Sequence, residues 1–557
     1  MAKLNGAQIM ARSLKEQGVE YMFGIVGFPV QEIAAQAQKA GIKYYGMRNE
    51  QTASYAAQAA GYMTGRPGAC LTVSGPGVVH MLAGLANAQQ NCWPMIGIGG
   101  ASPTYQNGMG GFQEERQVQI ASPFCKFAHA VEHTHRIPFY VEMAVRNSIY
   151  GRPGATYLDM PDDIIKGEVE EDKIAFPPKS AEPPRSMAMT ENINKAIAAL
   201  QSAEKPLVIV GKGMAWSRAE DEVRAFIERT KLPFLASPMG KGVMDDNHPL
   251  SVGAARSTAL KEADVIFVMG ARLNWIMHYG QQPRFNKNVR IIQLDIAHEA
   301  IGQNVPAEVA LVGDGKAIVG QMNDALKNQQ WFYAEGTPWR KQIADAAAKN
   351  AKQIQPMIDD NSAPTNYYRA LKDIAAWAPK DAIIVGEGAN TMDIGRTQLP
   401  NAAPRLRLDA GTYGTMGIGM GFRRRGMCGQ SRPAGDLGDR RSRAGLLRHG
   451  DGNGLPLQHE RQDRGAEQRR HRLGHGEVPG RSPQNPPRSL IYGARYDKMM
   501  EAFGGKGFYI EDPKDLKAAL DQAMAHKGPA LVNVKLHWAA GRSRRSLAGS
   551  RPEASAD

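Results

Sequence analysis

Short apolar runs alternate with longer amphipathic stretches along most of the chain. Runs of four to eight apolar residues bounded by Gly, Pro or Asn are typical of buried strands, and the stretches between them have helical spacing. In the first 165 residues such runs lie at 21–27, 69–74 and 94–99. This order predicts a parallel sheet covered by helices, and we assign residues 1–165 to a first α/β domain.

The same alternation returns twice after a Pro-rich linker. Apolar runs at 207–210, 265–269 and 291–294 predict a second sheet, and a run at 382–385 begins a third. The predicted fold is α/β, with three parallel-sheet domains. The remaining boundaries are a linker at 166–188, a central domain at 189–330, a helical connector at 331–362, a third domain at 363–537 and a tail at 538–557.

One stretch of the third domain, residues 423–490, breaks the pattern. It has no Ile, Phe, Tyr, Trp, Thr or Lys and a single Val. Central strands of parallel sheets are rich in such apolar residues, so we expect no central strand here. The sequence His449-Gly450-Asp451-Gly452-Asn453-Gly454 resembles a GDG motif, but no strand is expected before it, and we treat it as a decoy.

The charge is concentrated in that stretch. The net charge is +13, of which 423–490 contributes +8 through 15 Arg and 7 acids, and the tail contributes +2. The rest of the chain is near +3, which is ordinary for an enzyme and gives no reason to expect a nucleic-acid partner. No run of 18 apolar residues predicts a membrane span.

The cysteines and the termini bear on the compartment. The four cysteines, at 70, 92, 125 and 428, have no metal-ligand spacing and suggest a reducing environment. The N-terminal residues lack a signal-peptide core, and the C-terminal EASAD is not a peroxisomal address. We therefore expect a cytoplasmic protein.

Glu50 is the candidate catalytic residue of the first domain. This acid precedes a helix of Ala and Gly, and the helix is followed by a strand and the turn Ser74-Gly75-Pro76-Gly77. Apolar surroundings disfavour the charged form of an acid, which suits proton exchange near neutrality. The alternative is that Glu50 only occupies the first turn of a helix, where negative charge is favourable.

Strand ends in the central domain carry Gly, a base and an acid. Lys212 follows the first strand, Arg272 the second, and Asp295 ends the third. The carboxyl edge of a parallel sheet is where nucleotides bind. GKG and GAR are not complete phosphate-binding motifs, and either one alone is explained as a turn that needs Gly.

Eight motifs, in order, resemble one family. RNEQ, SGPG, GGFQE, YGRPG, GARLNW, EGANTMDIGRT, DAGTYGTMGIGMGF and ARYDKMMEAFGGKGF are similar to the 2-hydroxyacyl-CoA lyase and oxalyl-CoA decarboxylase branch of the thiamine diphosphate (ThDP) enzymes. The resemblance implies a pyrimidine-binding, a central nucleotide-binding-like and a diphosphate-binding domain. It also implies cleavage of a carbon–carbon bond of an acyl-CoA, with ThDP as the electron sink.

The resemblance assigns roles to individual residues. Glu50 would bind the aminopyrimidine ring and favour the imino tautomer that forms the C2 ylid. Met416 would be the wedge under the cofactor, although a core methionine is the alternative. The implied cofactor-binding residues are Tyr367, Ala389, Asn390, Thr391, Gly414, Thr415 and Met416.

Two further sets follow from the same resemblance. ADP, as a bound effector, would contact Arg152, Lys212, Arg272, Asp295 and Asp314. The acyl-CoA substrate would contact Val26, Phe112, Gln113, Gly253, Ala254, Ala255, Arg256, Ser257, Arg396 and Thr397. Oxalyl-CoA decarboxylases typically have Tyr-Glu where this chain has Phe112-Gln113, so a 2-hydroxyacyl-CoA, cleaved to an aldehyde and formyl-CoA, is expected over oxalyl-CoA.

The family also requires Mg²⁺ to hold the diphosphate, but its Asp and Asn ligands are missing from 423–490 as written. Residues 448–453 and 466–471 have codings that give GMEME and LNNGGI, two family stretches, when read one base later. This predicts a reading-frame error across the third domain, and the tail is interpreted as another. The rival explanation is a genuine Arg/Gly-rich insert that contacts nucleic acid.

Two function classes therefore remain. One is a ThDP-dependent acyl-CoA lyase or decarboxylase, active as a homodimer or homotetramer with sites at the subunit interface. The other is a catalytically dead homologue that binds only a nucleotide or CoA, because no metal ligand remains in the chain as written.

Overall fold

The computed structural model of the protein describes residues 2–422 and 494–537, together with the backbone of two short strands at 445–448 and 455–458. These residues form three parallel sheets and one small antiparallel ribbon. Among the described helices, none combines the length and the apolar character needed to cross a bilayer.

The first domain is a six-stranded parallel sheet with helices on both faces. Its strands and the two strands of the ribbon are β1 (Lys3–Asn5), β2 (Tyr21–Gly24), β3 (Lys43–Gly46), β4 (Gly68–Thr72), β5 (Met95–Ala101), β6 (Phe127–Ala130), β7 (Ala155–Pro161) and β8 (Glu168–Glu170). Its helices are α1 (Gly6–Glu16), α2 (Gln31–Lys39), α3 (Glu50–Thr64), α4 (Pro76–Asn91), α5 (Gln117–Ala121), α6 (Ile137–Ile149) and α7 (Asp162–Lys166). The strand order is β3-β2-β4-β5-β7-β6, and β1 pairs with β8.

Helices α3 and α4 lie side by side and run in the same direction. A Cβ atom on Gly84 of α4 would lie 1.8 Å from the hydroxyl oxygen of Ser54 on α3, so only glycine allows this approach. One turn further on, Asn87 Nδ2 donates to Gln58 Oε1 at 2.7 Å. Both contacts join residues about thirty positions apart, which fixes the register of the two helices.

The central domain is a five-stranded parallel sheet of order β10-β9-β11-β12-β13. Its strands are β9 (Pro206–Val210), β10 (Phe234–Ala236), β11 (Val265–Met269), β12 (Arg290–Asp295) and β13 (Val309–Val312). Its helices, with the connector helix that follows, are α8 (Thr190–Gln201), α9 (Lys212–Trp216), α10 (Glu220–Thr230), α11 (Arg256–Glu262), α12 (Gly315–Ala325) and α13 (Pro338–Ile358). The carboxyl ends of β9, β11 and β12 meet at one edge, as the strand-end pattern predicted.

The third domain has a parallel sheet of order β15-β14-β16-β17-β19-β18. Its strands are β14 (Ile384–Gly386), β15 (Arg407–Asp409), β16 (Gly445–Arg448), β17 (Leu455–Gln458), β18 (Lys506–Ile510) and β19 (Ala530–Lys535). Its helices are α14 (Tyr367–Trp377), α15 (Ala389–Gln398), α16 (Tyr496–Ala502) and α17 (Pro513–Ala525).

The expectation that 423–490 contains no central strand is wrong. β16 pairs in parallel with β14, and β17 pairs with both β16 and β19. β16 also directly precedes His449, where no strand was expected. The physical reason is that ladder hydrogen bonds come from the backbone, so two leucines in each four-residue strand are compatible with sheet pairing. The rest of 423–493, including Asp451 and Asn453, lies outside the described residues, as do 538–557.

An aromatic cluster joins the first and third domains. The Tyr62 and Trp93 rings stack with centroids 5.0 Å apart, and Phe422 lies 5.0 Å from Trp93. All three side chains are almost fully buried. Large buried rings dominate the stabilisation of such contacts, so this cluster holds the segment that ends at Phe422 against the first domain.

Candidate functional site

Glu50 is the first residue of α3, and Asn49 caps that helix by accepting the amide N–H of Thr52 at 2.9 Å. Its side chain is 14% exposed, and Oε2 lies 3.0 Å from Nδ1 of His80 on α4. No pattern along the chain singles out His80, because the register of two helices decides which residues thirty positions apart meet. Glu50 is thus both a first-turn acid, as the alternative held, and half of a carboxylate–imidazole pair.

The loop that carries Phe112 and Gln113 is held by a carboxylate. Glu114 accepts the amide N–H groups of Gly108, Gly110 and Gly111 at 2.5, 2.9 and 2.9 Å. These backbone hydrogen bonds favour the ionised acid and hold the pKa of Glu114 below its usual value. The Glu114 carboxylate therefore holds the Gly-rich loop in its conformation through three backbone hydrogen bonds.

Gln113 itself has a left-handed backbone, with φ of 57°. Its carbonyl accepts the hydroxyl of Ser74 at 2.7 Å, which ties the loop to the SGPG turn. The preceding residue, Phe112, is 66% exposed and lies edge-on to Phe28 with centroids 5.9 Å apart. Phe28 follows Val26 by two residues, and both are partly exposed. The structure thus brings Phe112 to Phe28, two residues after Val26, and both Val26 and Phe112 were predicted to line the acyl-CoA path.

A cavity of about 860 Å³ lies at the carboxyl edge of the central sheet. All five residues assigned to ADP line it: Arg152, Lys212, Arg272, Asp295 and Asp314. Arg152 crosses from the first domain and donates to Asp295 Oδ1 at 2.8 Å. The cavity also holds Arg185, which donates to Asp314 Oδ1 at 2.7 Å. Arg185 was missed because its segment read only as a Pro-rich linker.

The wall of this cavity contacts the loop of the third domain. Arg272 Nη2 donates to the carbonyl of Gln90 at 2.6 Å and to Thr412 Oγ1 at 3.0 Å. Lys212 Nζ donates to the carbonyl of Asn91. Burial of the ammonium lowers the pKa of Lys212 to about 8, with nearby Arg272 lowering it further and the Cys92 thiol opposing the shift.

The loop at 411–417 presents Met416 to the exterior. Met416 is 72% exposed, which excludes the core-methionine alternative for this chain. Buried Glu387 fixes the loop by accepting the amide N–H groups of Gly417 and Gly419, both at 2.6 Å. Thr415 Oγ1 donates to Asn87 Oδ1 of α4 at 2.8 Å. An exposed thioether on a doubly anchored loop is suited to supporting a bound ring.

The other residues predicted to contact the cofactor lie around the start of α15. Ala389, Asn390 and Thr391 form its first turn, after Gly388 with φ of 87°. Thr391 is 1% exposed, as is Tyr367 at the start of α14. Burial raises the pKa of Tyr367. These two side chains therefore lie in the packing between α14 and α15, and Asn390 is more accessible than either of them.

The remaining residues of the predicted CoA path lie apart from Phe112. Gly253, Ala254 and Ala255 form a 3₁₀ turn before α11, on which Arg256 and Ser257 are the first residues. Arg256 Nη2 donates to the carbonyl of Ile276 at 2.8 Å, and its Nη1 lies 3.2 Å from His278 Nε2.

Arg396 and Thr397 lie on α15. Arg396 pairs with Asp409 at 3.1 Å, and Thr397 Oγ1 donates to the carbonyl of Ile394 at 2.7 Å. Both side chains thus have structural partners in this chain.

The described residues contain no cluster of three or more His, Cys, Asp or Glu side chains arranged to hold a metal ion. They do fit the organic part of ThDP: Glu50 has a carboxylate oxygen available to a ring nitrogen, and Met416 is exposed on a rigid loop. The family's Mg²⁺ ligands would come from residues outside those described.

Family models match all three domains. The "Thiamine pyrophosphate enzyme, N-terminal TPP binding domain" matches residues 4–121, the central domain of the same enzymes matches 193–322, and their C-terminal TPP binding domain matches 473–534. The first match contains Glu50, and the second contains four of the five cavity residues assigned to ADP.

Curated relatives cover nearly the whole chain. The 2-hydroxyacyl-CoA lyase 1 of Homo sapiens is 43% identical over 96% of this chain and 95% of its own length. The 2-hydroxyacyl-CoA lyase of Arabidopsis thaliana is 38% identical over 95% of each chain. The oxalyl-CoA decarboxylase of Escherichia coli (strain K12) is 36% identical over 96% of each chain. The chain therefore belongs to the thiamine pyrophosphate-dependent enzymes, in the family that contains the 2-hydroxyacyl-CoA lyases and oxalyl-CoA decarboxylases.

Proposed function

We propose that the protein, with the reading frame of 423–490 restored, is a carbon–carbon lyase that cleaves a 2-hydroxyacyl-CoA to an aldehyde and formyl-CoA. The observation that carries the proposal is the Glu50 carboxylate at the start of α3, in a chain that matches the lyases over nearly its full length. ThDP supplies the nucleophilic carbon and the electron sink when it is bound. The dead-homologue alternative is not favoured, because the chain is similar to enzymes over nearly its full length and has Glu50, Asn390 and Met416 within the family-like motifs.

Different residues of the chain would transfer the proton, support the rings of the cofactor and bind its diphosphate. Glu50 would hold or release a proton at a ring nitrogen of the cofactor's aminopyrimidine, which is general acid–base chemistry. Met416 would support the two rings, with its loop anchored by Glu387 and Asn87. Asn390 and the first turn of α15, together with Mg²⁺ bound by the Asp and Asn ligands that a restored reading frame would supply within 423–490, would hold the diphosphate end.

The substrate preference is expected to depend on Phe112 and Gln113. An oxalyl group carries a carboxylate that needs hydrogen-bond donors, and an exposed phenylalanine ring offers none. A tyrosine hydroxyl would supply a donor, and the Gln113 amide can donate as well. We therefore expect Phe112→Tyr to move the ratio of kcat/KM toward oxalyl-CoA by at least about tenfold, or about 1.4 kcal/mol. Side-by-side assays of formyl-CoA release from 2-hydroxyacyl-CoA and oxalyl-CoA measure this ratio.

Met109→Leu is the matched control for that experiment. Met109 is exposed on the same Gly-rich loop, outside the Phe112–Phe28 contact. The control should leave the ratio unchanged. Exclusive turnover of oxalyl-CoA by the protein with Phe112 and Gln113 in place would show that the loop was interpreted wrongly.

The central cavity is proposed to bind ADP as an effector. Its mixture of Arg152, Lys212 and Arg272 with two carboxylates suits a diphosphate next to a ribose. Because the pKa of Lys212 is about 8, its positive charge is lost as the pH rises through that value. We therefore expect ADP affinity, measured by calorimetry, to fall by about tenfold between pH 7.5 and 9.5.

The variant Lys212→Arg should flatten this pH dependence, because a guanidinium stays charged throughout the range. Lys195→Arg, on the surface of α8, is the control and should retain the fall. An affinity that is independent of pH in the unaltered protein would contradict a role for Lys212 in binding the phosphates.

Assembly and compartment are also part of the proposal. We expect a homodimer or homotetramer with active sites at the interface, since closed symmetric oligomers are the common form of such assemblies and the site residues Phe112 and Met416 are exposed in the single chain. We place the enzyme in the cytoplasm on the strength of its cysteine pattern. Light scattering and fractionation test these two points.

A further inference from the structure

The contact between Glu50 and His80 extends the proposed function. Nδ1 of His80 lies 3.0 Å from Oε2 of Glu50, which is hydrogen-bond distance. Among the described residues the Glu50 side chain has no second hydrogen bond, so Oε1 is the oxygen available to a ligand. His80 is 57% exposed at its side chain, and Glu50 is 14% exposed.

The backbone around this pair is fixed. His80 lies one turn before Gly84 on α4, and Glu50 lies one turn before Ser54 on α3. Gly84 presses against Ser54, and Gln58 is bonded to Asn87 one turn beyond. The two parallel helices therefore contact each other once per turn, and Glu50–His80 is the first of these three contacts. A glutamate side chain has three rotatable bonds. His80, on the neighbouring helix, supplies a hydrogen-bond donor for one of the Glu50 oxygens.

We propose that His80 is a positioning residue for Glu50. Its Nδ1–H holds Oε2, so that Oε1 stays oriented for proton exchange with a ring nitrogen of the cofactor. The inference rests on the proposed function, because it assumes that Glu50 is the acid that serves the aminopyrimidine. The class of ligand it concerns is an aromatic amidine-like ring with a nitrogen that can be protonated.

The test uses two variants of His80 that differ in one property. His80→Asn places an amide N–H near the position of Nδ1 and keeps the donor, whereas His80→Leu removes it. A hydrogen bond to a charged group corresponds to about 10- to 100-fold in a rate that depends on it. We expect His80→Leu to lower C2 proton exchange on bound ThDP by that factor and His80→Asn to recover it to within about threefold of the unaltered protein.

The exchange is measured in the full chain with saturating ThDP and Mg²⁺, and in parallel in the protein from a frame-restored gene. His135→Leu is the control, because His135 stacks on His133 and not on Glu50. Equal exchange rates in His80→Leu and the unaltered protein, in whichever of the two forms exchanges above background, would overturn the inference. An Asn variant as slow as the Leu variant would also overturn it, because the donor at Nδ1 would then not be what matters.

Two further measurements separate this inference from the function it rests on. If Glu50→Gln leaves exchange unchanged, the proposed role of Glu50 fails. If Glu50→Gln abolishes exchange while His80→Leu does not slow it, only the inference fails. Without cofactor, ¹⁵N shifts of the His80 ring should show the proton on Nδ1, and Glu50→Ala should shift the ring toward the Nε2–H tautomer. An Nε2–H ring in the unaltered protein would contradict the contact itself.

Discussion

Glu50→Gln is expected to lower the rate of C2 proton exchange on bound ThDP by about 10²- to 10⁴-fold, the range that general acid–base catalysis usually supplies. Glutamine has nearly the same shape as glutamate and can still bond to His80 and to a ring nitrogen. It cannot take up or release the proton. The change therefore removes proton transfer by this side chain while it keeps the packing at the start of α3.

The measurement is deuterium exchange at C2, followed by proton NMR in the frame-restored protein with saturating cofactor. Affinities for ThDP and for CoA should stay within about threefold, since neither the loop of Met416 nor the central cavity is changed. Glu20→Gln, an exposed acid elsewhere in the first domain, is the control and should exchange at the unaltered rate. Exchange at that rate in Glu50→Gln would refute the assignment of the acid.

Restoring the reading frame across codons 423–490 is expected to raise lyase activity from background to an enzymatic rate. The described residues supply no metal-binding cluster, and a doubly ionised diphosphate in a partly buried site needs a metal counter-charge. We expect 423–490, as written, to lack the family's Mg²⁺ ligands. Resequencing the gene decides first whether the slip is real, because an intact frame would favour a genuine Arg/Gly-rich insert.

Binding of ThDP and Mg²⁺ provides the second measurement of the frame hypothesis. A ligand at 100 times its Kd stabilises a protein by about 2.7 kcal/mol, which for a domain of this size is a rise in Tm of about 5 to 10 °C. We expect this rise in the frame-restored protein, with chelation of Mg²⁺ abolishing it. An equal rise in the chain as written would show that 423–490 already holds the metal, and the frame hypothesis would then be wrong.

The two strands within 423–490 show that the amino-acid composition of a long segment cannot exclude a short central strand. The absence of β-branched and aromatic residues suggested that no central strand could form there, yet β16 and β17 lie in the middle of the third sheet. A strand of four residues needs backbone partners on both sides and only local apolar character. The composition of a 68-residue stretch averages over such short segments and therefore does not reveal them.

The sequence by itself determined the local features of this protein. The apolar runs placed the strands of the first two sheets, because a buried parallel strand needs a continuous apolar segment. The motif order identified the family, Glu50 and the loop of Met416, because these functions depend on residue types at fixed positions along the chain. Lys212, Arg272 and Asp295 of the cavity also followed from strand ends, which parallel pairing brings to one edge, whereas Arg152 and Asp314 followed only from the family resemblance.

Only the tertiary structure decided which distant residues meet. His80 faces Glu50 because Gly84 lets α4 press against Ser54 of α3. Met416 is exposed because Glu387 and Asn87, from two domains, anchor its loop. Arg185 joins the cavity through the path of a linker whose composition predicted only an extended chain. These contacts depend on close approach and register between elements, which no periodicity along the chain encodes.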